Sequence, residues 1–156
     1  MTNKDKLITV AVDAMGGDYA PTEIVAGAVE AAGAEDVQVL LVGDENIVRS
    51  ELNKHDIDGL PITLIPSEGV ILENDHPALA LRQKPKASIL VSTGLVKQGK
   101  ANASVSMGST GAAMAASAII LGLMEGVERP AVGGPIIGLS PNTIILDVGS
   151  NVDCRP

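Results

Sequence analysis

Short β-branched runs alternate with helix-like stretches along this chain, and that alternation constrains the fold more than any other feature. Leu7–Val12, Val37–Val42, Ile62–Ile65 and Ala101–Val105 read as strands. Thr22–Ala32, with Ile24, Val25, Ala28 and Ala32 on one face, and Glu45–Lys54, with Ile47, Val48 and Leu52, read as amphipathic helices. Pro77–Gln83 predicts a short helix, Lys86–Lys97 a longer one that stops at Gly99, and Ser109–Met124 a helix of small residues. Strands that alternate with helices over short loops predict an α/β fold. The expected form is an open, mostly parallel sheet with helices on both faces, a Rossmann-like three-layer arrangement. Ala131–Leu139 and Thr143–Val148 are two further strand candidates. The second has no following helix to cover it, so residues 1–156 read as a single α/β domain or as the N-terminal portion of a larger one.

Composition narrows the function classes. Phe and Trp are absent and Tyr19 is the lone aromatic, so the core must be Val, Ile, Leu, Ala and Met. Such a core suits buried parallel strands, and it leaves no aromatic platform for stacking single-stranded nucleic acid. The formal net charge of −8 argues against nucleic acid as a partner. From His76 to Met124, however, there is no Asp or Glu, while Arg82, Lys84, Lys86, Lys97 and Lys100 all fall there. Two readings stand: a locally basic face for an acidic or phosphorylated partner, or a solvated helix face with helix-end cations. Cys154 is the single cysteine, which excludes an internal disulfide and suits a reducing compartment. The polar opening Met1–Lys6 has no signal-peptide pattern, and no apolar run reaches the ~18–20 residues of a membrane span. The expectation is a cytoplasmic protein.

Ser106-Met107-Gly108-Ser109-Thr110-Gly111 lies between a strand and a helix. A Gly/Ser/Thr turn there leaves backbone N–H groups unpaired at the positive end of the helix dipole, where a phosphate or carboxylate binds without a basic side chain. Gly108 and Gly111 allow close approach, and Ser106, Ser109 and Thr110 add hydroxyl donors. The same residues also suit an ordinary N-capped helix. Two other polar turns, Asp13–Asp18 and Asp147–Asp153, follow strand candidates. In an open parallel sheet all three would meet at the carboxyl edge, where such sheets bind ligands. Other motifs fail. Gly94–Lys100 has P-loop glycine spacing but Ala101 in place of Ser/Thr, and it ends a helix. The sequon Asn102-Ala103-Ser104 falls in an expected buried strand, His55 and His76 have no metal-ligand spacing, and Cys154 has no nearby His.

Ala11-Val12-Asp13-Ala14-Met15-Gly16-Gly17-Asp18, followed by Ala20-Pro21, resembles the opening of the PlsX family, the acyl-carrier-protein:phosphate acyltransferases. Ala80-Leu81-Arg82, Gly94-Leu95-Val96-Lys97, Gly99-Lys100-Ala101, Arg129-Pro130-Ala131, Leu146-Asp147-Val148-Gly149 and Asn151-Val152-Asp153 are similar to that family in the same order. Met107 and Ser109 stand where the family usually has Ala and Asn, and Ser150 where it has Ala.

The resemblance implies transfer of a fatty acyl group from acyl carrier protein to inorganic phosphate, giving acyl phosphate for phospholipid synthesis. It implies no cofactor and no metal. Phosphate is anionic at neutral pH and attacks a thioester directly, so the protein need only position it and stabilise the oxyanion. On this reading Ser106, Gly108, Ser109, Thr110 and Gly111 cradle phosphate, and Gly16, Gly17, Asp18 and Arg82 contact substrate. Asp13 and Asp147 orient groups or handle protons, or else simply cap strand ends. Asn151 donates to the thioester carbonyl. The resemblance further implies a homodimer and peripheral association with the membrane through a membrane acyltransferase. The alternatives are another α/β enzyme acting on a phosphorylated or carboxylated metabolite, dehydrogenase-like, or a non-catalytic fragment.

Overall fold

The computed structural model describes residues 7–34, 36–72, 74–75, 77–134 and 142–147. Asn151, Asp153, Ser150, Cys154 and His76 lie outside the described residues. Two compact units divide the chain, residues 1–121 and 122–156.

The first unit runs β1 (Ile8–Asp13), α1 (Thr22–Ala34), β2 (Val37–Gly43), α2 (Glu45–Leu52), β3 (Ile62–Pro66), α3 (Pro77–Gln83), α4 (Ser88–Lys97), β4 (Ala103–Val105) and α5 (Thr110–Ile120). Its four strands form one parallel sheet in the order β3-β2-β1-β4. The chain thus winds outward from β1 to β3, then crosses back to place β4 on the other side of β1. Between β1 and β4 the winding reverses, and a sheet of this kind opens a crevice there at its carboxyl edge.

Strand periodicity distributes the core over both faces. Val39 and Leu41 of β2 pack with Val25, Ala28 and Ala32 of α1 and with Val48 and Leu52 of α2. Leu40 and Val42 point the other way, joining Ala11 of β1, Leu95 of α4 and Ala101. A third cluster joins α3, α4 and α5 through Ala80, Ile89, Ala112 and Ala116, with Ile71 from the loop after β3. Helix ends follow their sequence signals. Asp44 caps α2, its carboxylate accepting from the amides of Asn46 and Ile47 at 3.0 Å each. α4 stops where Gly99 donates to Val96 O and Lys100 to Leu95 O, a Schellman pair, so the P-loop-like glycines belong to a helix end.

Several expectations are corrected. α2 ends at Leu52, and Ile47 is 44% exposed instead of joining the core. α5 ends at Ile120 and not at Met124, because Gly122 takes φ 89°, outside the helical region. β4 is exposed along its whole length, not buried, since it is an edge strand with β1 on one side only. Asn102 accepts from Thr9 N–H at 2.9 Å, which fixes the start of β1 against this edge.

The second unit holds β5 (Gly133–Gly134) and β6 (Ile145–Leu146), paired antiparallel in a sheet of their own. Ile145–Leu146 therefore pairs with Gly133–Gly134 and not with a strand of the parallel sheet. Gly133 lies against Ile145 and Leu146 with no room for a Cβ, and Asp147 at φ 60° turns the backbone out of the strand. Among the described residues, no helix is long and apolar enough to cross a membrane, and no group of His, Cys, Asp or Glu is arranged to hold a metal ion.

Candidate functional site

The β1 and β4 termini meet at the crevice. Asp13, the last residue of β1, is 2% exposed. One carboxylate oxygen accepts from Met15 N–H at 3.1 Å, turning the chain sharply after the strand. The other accepts from the Ser106 hydroxyl at 2.8 Å. Ser106 Oγ in turn accepts from Gly108 N–H at 3.1 Å. This relay ties the turn after β1 to the turn after β4, although 93 residues separate Asp13 from Ser106. The contact follows from register. Val12 pairs with Val105, so the next residues, Asp13 and Ser106, lie side by side as the strands end.

Gly16 and Gly108 make the close approach possible. A Cβ on Gly16 would stand 2.6 Å from Asp13 Oδ2, 2.8 Å from Ser106 Oγ and 3.0 Å from Gly108 N. A Cβ on Gly108 would stand 3.1 Å from the Gly16 Cα. Both positions are glycine because two backbones touch there.

Beyond this contact Ser109 caps α5, its Oγ accepting from Ala112 N–H at 3.3 Å. The amides of Ser109, Thr110 and Gly111 have no partner among the described residues. They stand at the positive end of the helix dipole. A cleft of about 260 Å³ opens here, lined by Gly16, Gly17 and Asp18 from one turn and by Met107, Gly108 and Ser109 from the other. Its lining has no Lys or Arg, so an anion would rest on N–H groups and hydroxyls alone.

The third wall is Val70, Ile71 and Leu72, which the sequence reading missed. That stretch lies within Ser67–Asp75, which reads in sequence as an acidic loop; the signal there is three consecutive apolar residues. Lys84 holds the wall. Its ammonium donates to Val70 O at 3.0 Å and to the Asp75 carboxylate, which also accepts from Leu72 N–H at 2.9 Å. The Lys84 hydrogen bond, seconded by the Leu72 amide, holds the Asp75 carboxyl below its usual range.

The structure thus brings together Asp13, Gly16, Gly17, Asp18, Ser106, Gly108 and Ser109, with Thr110 and Gly111 opening α5. Ser106 differs from its expected part: its proton points to Asp13, so it shapes the turn and does not offer a free donor. Arg82 is exposed on α3 and is not among the residues lining the cleft. Asp147 belongs to the second unit. In the acid-free stretch two of the five cations are ion-paired and a third bonds a neutral carbonyl. Lys84 pairs with Asp75, Lys86 with Glu68 at 2.7 Å, and Lys97 donates to Leu121 O at 3.1 Å.

A family model described as fatty acid synthesis protein matches residues 8–156. A phosphate acyltransferase of Acaryochloris marina is 52% identical over 149 residues, covering 94% of this chain and 43% of its own length. Those of Synechocystis sp. and Syntrophomonas wolfei are 48% and 49% identical, again over 94% of this chain, and are covered over 42% and 47% of their lengths. The chain therefore spans less than half the length of these curated relatives. Among solved structures, a EutD phosphotransacetylase from Staphylococcus aureus superposes with a TM-score of 0.54 at 22% identity. It covers 81% of this chain and 41% of that one, and shares the fold. With a family model matched from β1 onward and relatives near half identity over almost all of its residues, the chain belongs to the fatty acid synthesis protein family.

Proposed function

We propose that this chain supplies the phosphate-binding part of an acyltransferase that moves a fatty acyl group from acyl carrier protein to inorganic phosphate. The observation that supports it is the cleft at the β1–β4 reversal. Three unpaired amides at the start of α5, from Ser109, Thr110 and Gly111, stand beside the close-packed Gly16 and Gly108. Phosphate suits such a nest, and relatives named phosphate acyltransferase match the chain across these residues.

In the proposed reaction a phosphate oxygen attacks the thioester carbonyl carbon. The C–O bond forms, the C–S bond breaks, and the carrier's thiolate leaves and takes up a proton from solvent. Ser109 and Thr110 hold the phosphate by hydroxyl and amide donors. Asp13 keeps Ser106 and, through it, Gly108 in place, so it is a positioning residue. Arg82 is proposed to reach phosphate or the carrier's arm, Asp147 to orient groups or handle protons, and Asn151 to donate to the thioester carbonyl. The assembled enzyme is proposed to be a homodimer that associates peripherally with the membrane. Sedimentation and vesicle flotation test those two points.

The central test traps acyl phosphate with hydroxylamine. Acyl hydroxamate should form from acyl carrier thioester in proportion to added phosphate, in a chain of the relatives' full length. Hydroxamate formation that does not rise with phosphate would refute the reading. Phosphate titration of the present chain checks the cleft directly.

A further inference from the structure

Met107 lines a second cavity as well as the phosphate cleft. This one is a trough of about 420 Å³ between α1 and the β1–β4 side of the sheet, within the ~300–1,000 Å³ span of small-molecule sites. Val10 and Val12 of β1, Val105 of β4, and Ile24, Gly27 and Ala31 of α1 form its walls, with Glu23 the charged residue on its lining. The trough exists because α1 presents small residues towards it. A Cβ added at Gly27 would meet no atom within 4 Å.

We propose that this trough holds the hydrocarbon chain of a fatty acyl group whose carbonyl end lies at the phosphate cleft, an inference that rests on the acyl transfer proposed above. Two observations support it. The first is continuity. Residues adjacent in sequence serve the two sites: Val12 and Val105 wall the trough, while Asp13 and Ser106 shape the cleft, and Met107 borders both. A single ligand with a polar head and an apolar tail can therefore occupy the two together. The second is the chemistry of the walls. An extended peptide needs partners for its own N–H and C=O groups, and Val, Ile, Ala and Gly side chains offer none. An alkyl chain needs none, and dry apolar cavities take up hydrocarbon.

The test uses the present chain and a series of alkylphosphonates from butyl to hexadecyl, kept below micelle formation. These are stable mimics of acyl phosphate. Affinity should rise about three- to fourfold per methylene, from the ~0.8 kcal/mol of each buried CH₂, until the trough is full. Gly27→Leu fills the trough without strain and with a better helix former. It should weaken hexadecyl binding roughly tenfold, the equivalent of about two displaced methylenes, and leave inorganic phosphate binding unchanged. Ala31→Leu is an independent second filling, and circular dichroism confirms that both fold. Phosphate binding combined with affinity that is flat in chain length, or with both variants binding hexadecyl as the parent does, would overturn the trough and leave the acyl-transfer reading standing. Binding of neither phosphate nor any phosphonate would overturn both.

Discussion

Ser106→Ala is the sharpest probe of the contact that holds the site together. The substitution removes the hydroxyl that donates to Asp13 at 2.8 Å and accepts from Gly108 N–H at 3.1 Å. Asp13 is 2% exposed, so water does not readily replace the lost donor. A hydrogen bond to a charged group contributes about 1.5–3 kcal/mol, and the amide bond about 0.5–1.5 kcal/mol. Gly108 is only half-buried, which places its share at the low end. The expected loss is about 2–4 kcal/mol, or roughly 4–16 °C in Tm at ~2–4 °C per kcal/mol for a chain of this size. Because Trp is absent and Tyr19 stands alone, urea unfolding should be followed by far-UV circular dichroism. Ser104→Ala, at an exposed position on the same strand, is the control and should stay within about 0.5 kcal/mol. Phosphate affinity should fall along with stability, because Gly108 loses its anchor. A Ser106→Ala midpoint equal to that of Ser104→Ala would refute the relay as the joint between the two turns.

Three further outcomes follow from the same geometry. Asp44→Ala removes a cap serving two amides and should cost about 1 kcal/mol in urea unfolding, with phosphate binding unaffected. Ser109→Asp keeps a capping oxygen for Ala112 N–H but replaces a donor with a negative charge, so it should retain stability and lose at least tenfold in phosphate affinity. Ser109→Thr should keep both, and equal phosphate affinity in all three proteins would reduce the loop to a helix cap. The Lys84–Asp75 pair lowers the folded pKa of Asp75 below its ordinary 3.8. Its contribution is therefore present above that value and lost as pH falls through the depressed one. Asp75→Asn should flatten this acid limb of stability; an unchanged limb would remove Lys84 as the clamp on the cleft's third wall.

The sequence by itself determined the alternation of strands and helices in the first unit. Runs such as Val37–Val42 and faces such as Val25, Ala28 and Ala32 obey local periods that need no knowledge of neighbours. The start of α2 at Asp44 and the stop of α4 at Gly99 were equally local. The same holds for the Gly/Ser turn that opens α5, because capping chemistry is written within a few residues. Only the tertiary structure decided that β4 lies beside β1 with an open edge, since strand order depends on which long-range pairing wins. From that order comes the bond between Ser106 and Asp13, which converts an expected ligand donor into a structural one. Tertiary structure also decided the pairing of Ile145–Leu146, which lies antiparallel to Gly133–Gly134 in a two-stranded sheet. It set Lys84 against Asp75 and Lys86 against Glu68, acids that precede the basic stretch in sequence and fold back against it. Such pairings join residues that no local window contains, and for that reason the sequence could mark the turns of the site without revealing what each of their side chains touches.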